Sequence, residues 1–91
     1  MTLEELYTII ETRIESRKKN SYISRLFESG TDQILKKVGE EAIEVVIAGK
    51  NKNRQEIISE SADLLFHVLI LLCEKKIQLK DIYDELEARR K

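Results

Sequence analysis

The chain has 91 residues, and its 16 Lys and Arg nearly balance its 17 Asp and Glu, for a net charge of −1. That length is one domain at most, residues 1–91, and the balance of charge argues against a broad basic surface for nucleic acid. With no proline and only three glycines the chain lacks the turn residues of an all-β sandwich, and its single cysteine, Cys73, excludes an internal disulfide and a Cys-based zinc site.

Thr2-Leu3-Glu4-Glu5 has the spacing of a capping box, with Thr2 as cap. Leu3, Leu6, Tyr7, Ile10 and Ile14 then recur at helical spacing, which predicts a first helix to about Lys18. Residues 19–30 read as a connection with some order, in which Tyr22, Ile23, Leu26 and Phe27 can pack. Ser29 or Thr31 can cap a second helix that reaches about Gly49, with Ile34, Leu35, Val38, Ala42, Val45 and Val46 on its apolar face. Gly49 to Asn53 is a turn by composition. Asn53 and Glu56 have capping-box spacing and open a third helix to about Lys76. A short fourth helix carries Leu79, Ile82, Tyr83 and Leu86 on one side. The tight turn makes the second and third helices an antiparallel hairpin. The expected class is all-α, a four-helix-bundle-like fold built on that hairpin.

The third helix is unusual. At about 100° per residue, its apolar residues, among them Ile57, Ile58, Leu64, Leu65, Phe66, Val68 and Leu69 to Leu72, cover nearly the whole circumference. A helix apolar all round is buried on every side. A chain this short buries only about 60–65% of its unfolded surface and cannot easily surround one of its own helices. A second subunit is the simplest cover, so a homodimer is expected to complete the bundle. The alternative is a loosely covered edge helix.

One stripe of that helix is polar: Glu56, Glu60, Asp63, His67 and Glu74 fall within roughly 60° of arc. Glu60 and Asp63 are neighbours at i, i+3. Setting two like charges beside the most apolar segment is costly unless a cation or a proton compensates. The second helix carries Glu40, Glu41 and Glu44, with Lys36 and Lys37 a turn earlier. Counted outward from the turn, Glu41 and Glu60 are about equally far, Glu44 falls level with Ile58, and Asp63 falls opposite Val38 and Gly39. If the polar edges face each other, Glu41, Glu44, Glu60 and Asp63 converge. Such oxygen clusters hold hard divalent cations, Mg²⁺ or Mn²⁺. One His and one Cys make zinc a poor choice. Solvated acidic faces with Lys–Glu pairs are the alternative for both helices.

Glu40-Glu41-x-x-Glu44 followed by Glu60-x-x-Asp63 on the next helix resembles the motif of the all-α nucleoside triphosphate pyrophosphohydrolases. Within that group, three flanking segments are similar to the phosphoribosyl-ATP pyrophosphohydrolase family of histidine biosynthesis. They are Ser21-Tyr22-Ile23-Ser24-Arg25-Leu26-Phe27, Ile34-Leu35-Lys36-Lys37-Val38-Gly39-Glu40-Glu41 and Asp63-Leu64-Leu65-Phe66-His67. Ile23 stands where Thr is common and Phe66 where Tyr is common. The resemblance implies Mg²⁺-dependent hydrolysis of phosphoribosyl-ATP to phosphoribosyl-AMP and pyrophosphate by a tight oligomer, usually a dimer. On that basis Glu41, Glu44, Glu60 and Asp63 are the expected metal ligands. Glu40 is a further ligand or the base that orients the attacking water. Lys36 or Lys37 meets the phosphates as a point charge. Ser21, Tyr22 and Arg25 are expected to contact substrate. His67 is expected to bond a ligand carboxylate or the substrate, or else to be a satisfied, partly buried histidine.

Two other functions share these features: a house-cleaning pyrophosphohydrolase of the same fold acting on non-canonical nucleoside triphosphates, and a non-catalytic helical dimerisation module. Cys73, Tyr7 and Tyr83 read as packing residues. The N-terminal residues lack a basic-then-apolar signal pattern, and the run Leu64 to Cys73 is about half the ~20 residues of a membrane-spanning helix, so the expected compartment is the cytoplasm.

Overall fold

A computed structural model describes residues 1–17 and 20–90, which form five helices and, among them, no strand. The helices are α1 (Leu3–Ser16), α2 (Tyr22–Glu28), α3 (Thr31–Asn51), α4 (Arg54–Glu74) and α5 (Leu79–Ala88). The fold is therefore all-α, as expected, with one helix more than the sequence pattern predicts.

The caps explain most boundaries. Thr2 Oγ1 accepts the Glu5 amide at 3.1 Å and starts α1. Arg17, at φ 50, ends it in the left-handed conformation, with its N–H on the Ile14 carbonyl. The expected end at Lys18 lies outside the described residues. Asn53 Oδ1 accepts the Glu56 amide at 3.0 Å and starts α4, as its spacing predicts. Lys76, at φ 58, cannot continue that helix, which ends at Glu74.

The start of α3 differs from expectation. Its cap is Gly30, at φ 101, a conformation open to glycine and strained for other residues. Neither Ser29 nor Thr31 serves. Ser29 closes α2, its hydroxyl donating to the Leu26 carbonyl at 2.6 Å. The Thr31 hydroxyl donates instead to Glu74 Oε2 at 3.1 Å, across the fold. The expected connection contains α2, capped by Ser21 Oγ accepting the Ser24 amide at 3.4 Å.

Lys52 and Asn53 alone separate α3 from α4, and these two helices form the most extensive pairing in the molecule. The core lies toward the end of the hairpin away from its turn. Tyr7 and Ile10 of α1, Ile23 and Leu26 of α2, Ile34, Leu69, Ile70 and Leu79 meet there. The Tyr7 hydroxyl donates to the Ile77 carbonyl at 2.7 Å, and burial pushes its pKa up to about 12. Cys73 packs half-buried against the core, and burial raises its thiol to about 11. Tyr83 is half-exposed and donates to Glu4 Oε1.

Nearer the turn, the apolar side chains are uncovered. Ile43 is 60% exposed, Val46 70%, Ile47 47%, Ile58 45% and Leu65 48%. Only Ile34 and Ala48 of α3 are buried, and of its predicted apolar face Leu35 and Val46 are exposed. Among the described residues no helix is long and apolar enough to cross a membrane.

Candidate functional site

The hairpin register brings three carboxylates together. Glu41 of α3 and Glu60 and Asp63 of α4 each offer an oxygen within 4.8 Å of the others. Glu41 and Glu60 are partly buried and Asp63 is exposed. Burial, then repulsion from Asp63, Glu41 and Glu44, holds the Glu60 carboxyl above its ordinary value. Glu44 lies outside the group of three oxygens, although its charge still reaches Glu60. Glu44 is exposed on α3, three residues after Glu41.

Lys37 adjoins this group. Its ammonium is 3.5 Å from Glu41 Oε1, one helical turn away. Tyr22 chiefly, with Glu41 and Glu40 adding, holds that ammonium above its ordinary value against a smaller opposing effect of burial. Glu40 and Lys36 are both exposed on α3.

The residues of α2 fall into different roles. Ser21 is buried, and its hydroxyl oxygen is the cap of α2. Tyr22, the first residue of α2, lies 2.8 Å through its hydroxyl from His67 Nε2. His67 is buried on α4, with Nδ1 2.8 Å from the Asp63 carbonyl. The Tyr22 ring stacks near Phe66 at 6.2 Å between centroids and 24° between planes, and meets His67 edge-on. Arg25 is exposed, three residues along α2 from Tyr22.

Of the expected site residues, the structure gathers Glu41, Glu60, Asp63, Lys37, Tyr22 and His67. Two other acids of the polar stripe do not join them. Glu56 sits exposed in the first turn of α4, and Glu74 accepts from Thr31 at the far end. The link between Tyr22 and His67 escapes sequence reasoning, because a bond between residues 45 apart leaves no local pattern. Two cavities of about 370 and 430 Å³ lie against α1 and the start of α5, and no member of the carboxylate group lines either. Asp63 is exposed to solvent at the cluster, while Glu41 and Glu60 are partly buried.

This arrangement suits one kind of chemistry. An all-oxygen donor set from two rigid helices, with an unneutralised acid at its centre and a lysine at its edge, fits a hard divalent cation and a phosphate chain.

Residues 3–90 match the family of phosphoribosyl-ATP pyrophosphohydrolases. A phosphoribosyl-ATP pyrophosphatase of Clostridium novyi is 51% identical, over 98% of this chain and 81% of the relative. One from Listeria innocua is 55% identical, over 96% of this chain and 84% of the relative. The histidine biosynthesis bifunctional protein HisIE of Caldanaerobacter subterraneus is 54% identical over 98% of this chain, which spans only 43% of that longer protein. The chain belongs to the phosphoribosyl-ATP pyrophosphohydrolase family.

Proposed function

We propose that this chain hydrolyses phosphoribosyl-ATP to phosphoribosyl-AMP and pyrophosphate in histidine biosynthesis, using Mg²⁺ held by Glu41, Glu44, Glu60 and Asp63. The observation that carries this is the convergence of Glu41, Glu60 and Asp63 from two helices in a chain of this family. The donor set fits the ion. It is all oxygen, it is anionic, and the Glu60 carboxyl is held above its ordinary value first by burial and then by its acidic neighbours, whose charge a cation offsets. Mn²⁺ satisfies the same preferences.

Carboxylates and a triphosphate repel each other, so they meet through cations. Bound Mg²⁺ supplies charge neutralisation on the phosphate oxygens and on the pyrophosphate leaving group. The protein's own groups do the rest. Lys37, already held by Glu41, presents an ammonium to the phosphates, and Lys36 lies exposed beside it. Glu40 orients the attacking water and takes its proton. Water adds across the α–β phosphoanhydride, the bridging P–O bond breaks, and pyrophosphate leaves. Arg25, exposed on α2, is a further cation for the phosphates.

The uncovered hairpin supports a homodimer. Ile43, Val46 and Ile47 of α3 and Ile58 and Leu65 of α4 are exposed apolar side chains of this hairpin. A second copy is the partner that covers it, and the compartment that fits this biosynthetic role is the cytoplasm.

A pyrophosphate-release assay with phosphoribosyl-ATP, ATP and dCTP, with and without Mg²⁺, tests the assignment. Phosphoribosyl-ATP is expected to be turned over fastest, and only with the metal. Preference for dCTP would identify a house-cleaning enzyme instead, and no release from any of the three would leave a dimerisation module.

A further inference from the structure

The sequence offers Tyr22 as a substrate contact and His67 as either a contact or a satisfied histidine, and in the structure the polar atoms of both are engaged within the protein. The Asp63 carbonyl can only accept a hydrogen bond, so His67 Nδ1, 2.8 Å away, carries the hydrogen. In the neutral ring Nε2 is then an acceptor, and the Tyr22 hydroxyl 2.8 Å away donates to it. His67 is only 6% exposed. Neither of its nitrogens is open to a phosphate, and the hydroxyl proton of Tyr22 is committed as well.

The location of this bond gives it a consequence. It joins the first residue of α2 to the turn of α4 that runs from Asp63 to His67. That turn carries one of the three clustered carboxylates. Among the described residues no hydrogen bond fixes the Asp63 carboxylate itself, so its placement depends on its backbone. The edge-on contact of His67 with Tyr22 and Phe66, at 5.7 and 5.2 Å, further restricts the ring.

We infer that Tyr22 and His67 are positioning residues for the cation rather than contacts to substrate. Their hydrogen bond clamps α2 onto the turn that carries Asp63 and holds that carboxylate where a metal requires it. This rests on the metal site proposed above. Partners one step removed from a ligand typically change metal affinity by about 10–100-fold when lost. The lower end applies here, because the bond acts on the backbone of Asp63 and not on its carboxylate.

Titration of the substrate-free protein with Mn²⁺, followed by electron paramagnetic resonance, reads this directly. Steady-state kinetics and helical circular dichroism on the same samples complete the set. Tyr22→Phe keeps the ring and removes the hydroxyl, and it is expected to weaken Mn²⁺ about tenfold and to lower kcat while KM for phosphoribosyl-ATP stays near wild type. His67→Gln, whose amide oxygen can replace Nε2 as acceptor, is expected to retain most of the affinity, and His67→Leu to match Tyr22→Phe. The double variant Tyr22→Phe/His67→Leu should be no worse than either alone, since the same bond is broken once. If His67→Leu does not fold, Tyr22→Phe and His67→Gln still decide. Unchanged Mn²⁺ affinity in Tyr22→Phe with a raised KM would overturn the inference and make Tyr22 a substrate contact. A lower melting temperature with both constants unchanged would also overturn it, leaving the bond a purely structural one. Failure of the wild type to bind Mn²⁺ would be a different result, removing the metal site itself and this inference with it.

Discussion

Glu60→Gln should act in opposite directions with and without a divalent cation. Glu60 is partly buried, and its carboxyl is held above its ordinary value first by burial and then by Asp63, Glu41 and Glu44. In the metal-free protein the substitution removes a charge that its neighbours repel, so the melting temperature should rise slightly. With Mg²⁺ the same substitution removes a ligand. A cation that binds only the folded state stabilises it by about 2.7 kcal/mol at a hundredfold excess over Kd. For a domain of this size about 1 kcal/mol moves the midpoint by 4–8 °C, so the wild type should gain roughly 10–20 °C. If the lost ligand weakens binding about a hundredfold, the remaining gain is RT ln 2, about 0.4 kcal/mol or 2–3 °C. Glu44→Gln should blunt the response less than Glu60→Gln, because Glu44 lies outside the three-oxygen group. Melting curves at one protein concentration, with MgCl₂ or with NaCl at matched ionic strength, separate ligation from screening. Equal shifts with both salts, or a wild-type response in Glu60→Gln, would refute the reasoning.

Three further outcomes follow from the fold. Val46 is 70% exposed, so Val46→Asp costs little within one chain but places an unpaired charge in the proposed interface. Such a charge costs about 3–5 kcal/mol, more than a hundredfold in Kd; sedimentation at micromolar concentration should show a wild-type dimer and a dissociated variant, and a folded wild-type monomer would count against the dimer. Gly30→Ala should destabilise by about 1–2 kcal/mol in denaturant melts, because φ 101 is strained for alanine even where there is room for its Cβ. The Tyr83 hydroxyl holds the Glu4 carboxyl below its ordinary value of 4.5, so Tyr83→Phe should return it toward that value in an NMR titration. The sign is that of a depressed acid: its small stabilisation is present above pH 4.5 and lost as pH falls through the lower folded-state value.

The site was legible because it lies on two long helices joined by a short turn. Once Asn53 is read as a cap, distance from the turn fixes which residues of α3 and α4 stand level, and Glu41 meets Glu60 by counting alone. Glu44 shows the limit of that method, since height along a hairpin does not fix azimuth. The short helix α2 was hidden because its seven residues are too few to show a period. The cap of α3 was misplaced because Ser29 turns back to α2 and Thr31 reaches across to Glu74, both tertiary outcomes invisible to local spacing. His67 was read two ways, and its bonds to Asp63 and Tyr22 favour the buried, satisfied histidine. The all-round apolarity of α4 predicts cover on every side, and within one chain Leu69 and Ile70 are buried while Ile58 and Leu65 stay exposed.

The claim that the clustered carboxylates hold the catalytic cation is tested most directly by pyrophosphate release from phosphoribosyl-ATP at saturating Mg²⁺. Glu41→Gln and Asp63→Asn each remove one charge from the group while conserving side-chain volume. Metal stabilisation of transition-state charge is worth several kcal/mol, so each variant should lose about a thousandfold in turnover, or ~4 kcal/mol, with its helical circular dichroism intact. Wild-type turnover in either variant would contradict the account.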